Sequence, residues 1–312
     1  MKKKRLGRTD LMVTELCFGA LPLGPLQADI PPEQAISLIK KALDSGVNFI
    51  DTAESYQTQP YVGEAIKKSQ KEAVIATKSA AATYEDMEES LIRSLKELQS
   101  DVIDVYHLHA ARTTEQVFAE RAGAYECLLD AKKDGLIRAV GISTHSVKVV
   151  KTALKQAGID VIYPLINKAG MGVLHGTGEE MEEAIKEASK AGKGIYGMKA
   201  LCGGHLIDDL KGSIDYVKKL EGMDAVSLGM VNEEELAMNI KLFEDEEYVP
   251  EVNRKKKQLM VMGFCSGCGQ CVDVCPNEAI SLKGGKAEVN PSQCILCGYC
   301  SPGCPMFALR LI

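Results

Sequence analysis

Eight cysteines near the C-terminus constrain this chain more than any other feature. Cys265, Cys268, Cys271 and Cys275 are spaced C-x2-C-x2-C-x3-C, and Pro276 follows. Cys294, Cys297, Cys300 and Cys304 repeat that spacing before Pro305, each 29 positions after its counterpart. The stretches after the fourth cysteines also run in parallel, Pro276-Asn277-Glu278-Ala279-Ile280 against Pro305-Met306-Phe307-Ala308-Leu309. Thiolates this close must converge on a centre that takes four of them. Ser266, Gly267, Gly269 and Gly298 leave the backbone free to curl round such a centre and aim N–H groups at its sulfurs.

From about Met262 to Ile312 the chain resembles a two-cluster bacterial ferredoxin. In that pattern the first three cysteines of a run bind one 4Fe–4S cluster and the fourth crosses to the other. The pattern therefore assigns Cys265, Cys268, Cys271 and Cys304 to one cluster, and Cys294, Cys297, Cys300 and Cys275 to a second. Structural zinc is one rival, but zinc ribbons use paired C-x2-C units about 15–20 residues apart, without the third and fourth cysteines. A disulfide framework is the other, and it suits small secreted domains rather than the tail of a long chain.

The 312 residues allow one large domain and a small one. The expected division is 1–245 for the large domain, 246–261 for a linker and 262–312 for the ferredoxin-like part. A net charge of −6 offers no basic surface for nucleic acid. The basic start Met1-Lys2-Lys3-Lys4-Arg5 is not followed by the apolar core of a signal peptide, and no apolar run approaches the roughly 18 residues that span a bilayer. Cys17, Cys127 and Cys202 read as small buried hydrophobes in a reducing compartment. The expectation is a cytoplasmic protein without membrane or nucleic-acid partners.

Upstream, apolar β-rich runs alternate with helical patterns. The expected strands are Leu16–Ala20, Asn48–Ala53, Ala73–Ser79, Val102–Ala110, Ile137–Thr144, Val161–Asn167, Gly194–Leu201 and Ala225–Met230. Pro32–Ser45, Tyr84–Leu98, Glu179–Ala191 and Glu233–Phe243 carry helical periodicity, with Gly46, Gly135, Gly158 and Gly192 placed to stop helices. Eight such units in about 240 residues fit a closed (β/α)8 TIM barrel with a small C-terminal α+β ferredoxin-like domain. An open doubly wound sheet would carry a glycine fingerprint after its first strand. The turn here, Phe18-Gly19-Ala20-Leu21-Pro22-Leu23-Gly24, lacks it.

Catalysis in such a barrel is built at the C-terminal strand ends. Asp51 ends the second expected strand, Tyr56 follows in its loop, Lys78 is at the end of the third and His109 at the end of the fourth. A hydride reaching a carbonyl carbon leaves charge on oxygen, and a proton must be donated there. Tyr56 is the candidate donor, although a phenol of pKa about 10 is a reluctant acid. Lys78 is expected to lower that pKa, Asp51 to hold the lysine, and His109 to orient the substrate oxygen. Taken singly, each residue has a bland account as a cap, a solvated cation or a core histidine. Four in order at successive strand ends outweigh it. His107, two positions from His109, reads as barrel filling.

Leu6-Gly7-Arg8-Thr9, Phe49-Ile50-Asp51-Thr52-Ala53-Glu54-Ser55-Tyr56, Ala76-Thr77-Lys78, Asp104-Val105-Tyr106-His107-Leu108-His109, Gly141-Ile142-Ser143 and Met198-Lys199-Ala200-Leu201-Cys202-Gly203-Gly204 together resemble an aldo-keto reductase. The resemblance runs in motif order from about Met1 to Phe243. It implies a (β/α)8 barrel, an Asp51–Tyr56–Lys78–His109 tetrad and hydride transfer from NAD(P)H. It also implies dinucleotide contacts at Ser143, Lys199, Gly203, Gly204 and Asn239. Departures fall on that cofactor half. Thr144 stands for the usual asparagine, Tyr163 for a glutamine, and Gly229 and Glu235 for cations that would meet a 2′-phosphate.

Three functions remain open to the sequence. The first is an iron–sulfur oxidoreductase that reduces a small carbonyl or related electrophile, exchanging electrons with a redox partner, a ferredoxin or flavoprotein. The second is an NAD(P)H-dependent carbonyl reductase with structural or regulatory clusters. The third is a non-catalytic electron carrier with the barrel as docking module.

Overall fold

The eight apolar runs become eight parallel strands that close on themselves in chain order. In the computed structural model, residues 1–111, 113–251, 257–306 and 308–311 are described. The strands are β1 Leu16–Gly19, β2 Phe49–Asp51, β3 Val74–Ser79, β4 Ile103–His109, β5 Ile137–Thr144, β6 Val161–Pro164, β7 Gly194–Gly197 and β8 Ala225–Gly229. Strand side chains alternate between faces. Leu16, Phe18, Ile50, Ile75, Tyr106, Val140 and Ile162 therefore face the helices, in one core with Leu38, Ile39 and Leu91. Cys17, Phe49, Val74, Ala76, Val105, Ala139, Tyr163 and Tyr196 fill the interior. An antiparallel hairpin, Lys3–Arg5 with Met12–Thr14, adds Leu6, Leu11 and Val13 to that interior and closes the floor.

Each strand is followed by a helix: α1 Pro32–Asp44, α2 Gln59–Ser69, α3 Tyr84–Leu98, α4 Ala122–Lys133, α5 Val147–Leu154, α6 Gly178–Lys190, α7 Leu210–Lys218 and α8 Glu233–Glu244. Their starts are fixed by side chains that satisfy otherwise unpaired N–H groups. Thr83 accepts from Asp86 N at α3, Thr177 and Glu180 form a reciprocal capping box at α6, and Asn232 accepts from Glu235 N at α8. Gly46, Gly135 and Gly192 take left-handed φ values of 91°, 77° and 84° just past helix ends. Helix α5, by contrast, stops at Leu154, before the expected glycine at 158.

Three strands end two or more residues earlier than expected. β2 stops at Asp51, β6 at Pro164 and β7 at Gly197, with only an isolated bridge, Leu165 to Met198, beyond the last two. The apolar residues past those ends are not strand. They turn over the barrel mouth and line it.

The small domain holds two antiparallel pairs. β9 Leu259–Val261 pairs with β12 Leu309–Leu311, and β10 Ile280–Lys283 with β11 Lys286–Val289. Of the expected linker 246–261, residues 252–256 lie outside the described residues, and Leu259–Val261 is a strand of the small domain. No helix among the described residues is long and apolar enough to cross a membrane.

Candidate active site and cysteine hollows

Strand alternation and the parallel register bring the expected tetrad to one end of the barrel. Asp51 is the last residue of β2, Lys78 pairs with His107 across β3 and β4, and His109 pairs with Ser143 across β4 and β5. Tyr56 comes from a single 3-10 turn, Glu54–Tyr56, directly after β2.

Lys78 and Asp51 form a buried ion pair, with Nζ 2.7 Å from Oδ1 and 2.9 Å from Oδ2. The ammonium also donates to Thr52 O at 2.6 Å. Burial pushes both groups toward neutrality, the carboxyl upward and the ammonium downward, and their mutual attraction opposes both shifts. Tyr196 on β7 donates to Asp51 Oδ2 at 3.0 Å, and its Oη is 2.7 Å from His107 Nε2. A phenol whose proton goes to a carboxylate must accept here, which makes His107 the Nε2–H tautomer. His107 is thus more than filler: it terminates a chain His107–Tyr196–Asp51–Lys78. Tyr163 stacks on Tyr196 at 3.9 Å between centroids and faces Lys78, whose Nζ is 5.2 Å from the Tyr163 ring centre.

The expected acidification of Tyr56 is not found. Burial, with Tyr299 and Asp51 beside it, pushes the phenol well above its ordinary value. Lys78 Nζ lies over the Tyr56 ring, 4.8 Å from its centre, while its hydrogen bonds go to Asp51 and Thr52. The cation is neutralised by its partner before it can act on the hydroxyl. His109 is held neutral, well below the ordinary imidazole range, by desolvation and then by the Lys78 charge. Both Tyr56 and His109 are therefore suited to donating or sharing a hydrogen bond with an uncharged oxygen at neutral pH.

The mouth holds a residue that sequence reasoning missed. Tyr299, from the small domain, places its Oη 3.3 Å from His109 Nε2, and its phenol meets that of Tyr56. The segment carrying it is clamped on both sides. His205 Nε2 meets Cys294 O at 2.7 Å, and Gln27 Nε2 donates to Leu296 O at 3.4 Å. Two glycines permit the contact. A side chain at Gly298 would strike Leu26 O at 1.9 Å, and one at Gly203 would strike Ile295 O at 2.4 Å. Ile295, Cys297 and Tyr299 pack with Leu165, Met198 and Cys202 above strands β6 and β7.

The cysteines line two hollows in the small domain. Cys275, Cys294, Cys297 and Cys300 line the one beside the barrel, and Cys265, Cys268, Cys271 and Cys304 line the other. Each hollow thus collects three cysteines of one run and the fourth of the other. Backbone N–H groups point at the sulfurs: Ala279 N to Cys275 Sγ at 3.2 Å, Ala308 N to Cys304 Sγ at 3.2 Å and Ala287 N to Cys265 Sγ at 3.5 Å. Such bonds stabilise thiolates around iron–sulfur clusters. Among the described residues no three His, Cys, Asp or Glu side chains converge on a point that could hold a single ion. A four-sulfur zinc site, with bonds of about 2.3 Å, would need that convergence. A four-iron cube is larger and does not. The residues fit iron–sulfur clusters.

The dinucleotide residues fit less well. Ser143 Oγ and Asn239 Oδ1 are buried without a hydrogen-bond partner, as groups awaiting a polar ligand would be. Gly203, however, is covered by Ile295, and the residue after Gly204, His205, is engaged by Cys294. With the small domain seated, the turn is closed at Gly203 and open at Gly204. Glu235 caps its own helix, accepting from Val231 N at 2.7 Å. Lys199 stands between the two halves. Burial raises the Cys297 and Lys199-facing Cys294 thiols while the Lys199 charge opposes both shifts, and the same charge acts on Lys78.

A model of the aldo/keto reductase family matches residues 15–244, and a model of a 4Fe-4S dicluster domain matches residues 264–308. An uncharacterized oxidoreductase of Bacillus subtilis is 31% identical over 174 residues, covering 51% of this chain and 54% of the relative. A methylglyoxal reductase of Escherichia coli is 28% identical over 190 residues, covering 58% of this chain and 67% of the relative. The matches thus span about half to two thirds of these relatives. A putative aldo-keto reductase from Pseudomonas aeruginosa superposes with a TM-score of 0.66 at 27% identity, over 77% of this chain and 94% of that one.

Proposed function

The chain belongs to the aldo/keto reductase family and carries a 4Fe-4S dicluster domain at its C-terminus, and on that premise we propose that it is an oxidoreductase that reduces a small carbonyl compound at the barrel mouth with electrons supplied through the small domain. The observation that carries this reading is the Tyr299 contact, which puts a loop bearing two hollow-lining cysteines against Tyr56 and His109. Clusters bound in the hollows supply electrons one at a time. The rest falls to side chains of this chain.

Reduction of a carbonyl takes two electrons and two protons. The electrons arrive singly, and the proton at carbon comes from water entering with the substrate. The proton at oxygen comes from Tyr56, which solvent then reprotonates. The electrons come from an external one-electron carrier protein, a ferredoxin or flavoprotein. That carrier meets the outer hollow, where Cys268 is exposed and Leu282 and Phe264 present apolar surface. Tyr56 gives its proton to the oxygen, and His109 holds that oxygen by a second hydrogen bond. Asp51 and Lys78, braced by Tyr196 and His107, fix the wall behind Tyr56. The methylglyoxal reductases among the relatives make a small dicarbonyl the first substrate to try.

Tyr56→Phe is expected to cut turnover of methylglyoxal with a reduced ferredoxin donor about a hundredfold, the order of a single general acid, with iron and sulfide content unchanged. Turnover at the parental rate would sink the reading. A second reading, NAD(P)H as the reductant, draws on the unpartnered Ser143 and Asn239 atoms. It predicts that Asn239→Ala weakens NADPH binding, read by calorimetry. Our leading reading expects little binding by either protein while the small domain is seated.

A further inference from the structure

Tyr299 lies between Cys297 and Cys300, both lining the hollow beside the barrel. Its oxygen is 3.3 Å from His109 Nε2, and its ring packs against the cluster that contains Tyr56, so it stands at both groups that would hold a substrate oxygen. It packs against two apolar clusters, one of Leu26, Ala53 and Tyr56 and one that includes Ile295 and Cys297. The flanking backbone cannot shift freely, because Cys294 O and Leu296 O are bonded to the barrel and Gly298 sits hard against Leu26 O.

We infer that the Tyr299 oxygen occupies the place of the ligand oxygen, so that any carbonyl entering between Tyr56 and His109 must displace the phenol and strain the clamped Cys297–Cys300 loop that carries it. Occupancy of the barrel site and the properties of a cluster held by Cys275, Cys294, Cys297 and Cys300 are then linked. A ligand that strains the loop alters that cluster, and by thermodynamic reciprocity a change at the cluster alters ligand affinity. Tyr299 is a positioning residue in this account, because it acts by leaving. Its displacement also lowers apparent affinity, since only the fraction of molecules with the mouth open can bind. The inference rests on reading Tyr56 and His109 as the oxygen-holding pair.

The test uses the full chain, prepared anaerobically with its clusters, and isobutyramide as probe. The amide oxygen accepts hydrogen bonds as a ketone does but resists reduction, so binding is read without turnover. Calorimetry on the parent, Tyr299→Phe and Tyr299→Ala is expected to show about tenfold tighter binding to the alanine variant, with phenylalanine between. In the parent, saturating isobutyramide is expected to change the electron paramagnetic resonance line shape and midpoint potential of one reduced cluster. In Tyr299→Ala that response is lost at equal iron content. Where alanine costs a cluster, phenylalanine, which keeps the ring, carries the comparison.

Equal or weaker affinity in both variants, no binding to any of the three proteins, or a parental spectrum indifferent to bound probe each overturn the inference. The proposed function stands apart from these outcomes, because it is decided by the turnover of Tyr56→Phe.

Discussion

Replacing Lys78 with methionine is expected to lower the unfolding free energy of the barrel by about 3–5 kcal/mol, the usual cost of removing one partner from a buried ion pair. Side-chain exposure is 1% for Lys78 and 3% for Asp51, so water cannot take over for the missing partner. Methionine fills much of the volume of the lysine stem, which keeps the cavity contribution small. The cost arises because Asp51 would retain Tyr196 as a donor but lose two charged contacts of 2.7 and 2.9 Å. Its pKa, already raised by burial, would climb further as the opposing cation vanished. Changing both partners, Lys78→Met with Asp51→Leu, is expected to cost less than the sum of the single changes, since neither then leaves a stranded charge. Unfolding in denaturant, followed by tyrosine fluorescence in a chain without tryptophan, gives the numbers. Visible absorbance follows the clusters separately, which matters because a two-domain chain need not unfold in one step. A loss under 1 kcal/mol for Lys78→Met would mean that the pair is solvated in solution.

The same pair shows how far sequence reasoning reaches. Period-two alternation puts Asp51, Lys78, His107 and His109 on one barrel face, and strand ends are where a turn leaves room for chemistry. Both are local properties and can be read from spacing. What spacing does not carry is which of two nearby acceptors a cation prefers. The Lys78 pair with Asp51 is as expected, but its remaining hydrogen bond goes to Thr52 O, which no spacing announces, and none goes to the Tyr56 hydroxyl. Tyr196 and His107 meet across 89 positions, and each alone is an ordinary barrel-filling residue. The seating of the small domain was also hidden. Its contacts run largely through backbone carbonyls, Cys294 O, Leu296 O, Ile295 O and Leu26 O, which every sequence possesses. Only Gly298 and Gly203 hinted at it. Glycines beside a cysteine motif and in a loop have several other uses, so the hint was not decisive.

Acid is expected to destabilise the barrel well before its surface carboxylates titrate. His107, His109 and His145 are all held below the ordinary imidazole range, chiefly by desolvation, His145 at about 3. In the unfolded chain each titrates near 6.5. Between those values the unfolded chain binds more protons than the folded one, so stability is present above pH 6.5 and is lost as pH falls. Each site contributes up to about 1.4 kcal/mol per pH unit. Asp224 works the other way. Burial raises its carboxyl to about 6, so the folded chain takes up a proton there and returns part of the loss. Asp51 and Asp104, also raised by burial, act in the same direction as Asp224. The balance of three histidines against Asp224 is a net loss of roughly 2 kcal/mol between pH 6.5 and 5.5. His145→Gln isolates the cause. His145 Nδ1 is buried without a partner and the residue is outside the proposed tetrad, so the change should remove about a third of the histidine contribution, while also lifting the charge that helps hold His109 down. Denaturant midpoints at pH 7.5, 6.5 and 5.5 for the parent and this variant decide the matter. A parental stability that is flat across that range, or a slope that His145→Gln leaves unaltered, would show that these imidazoles are reached by water and protonated in the folded chain.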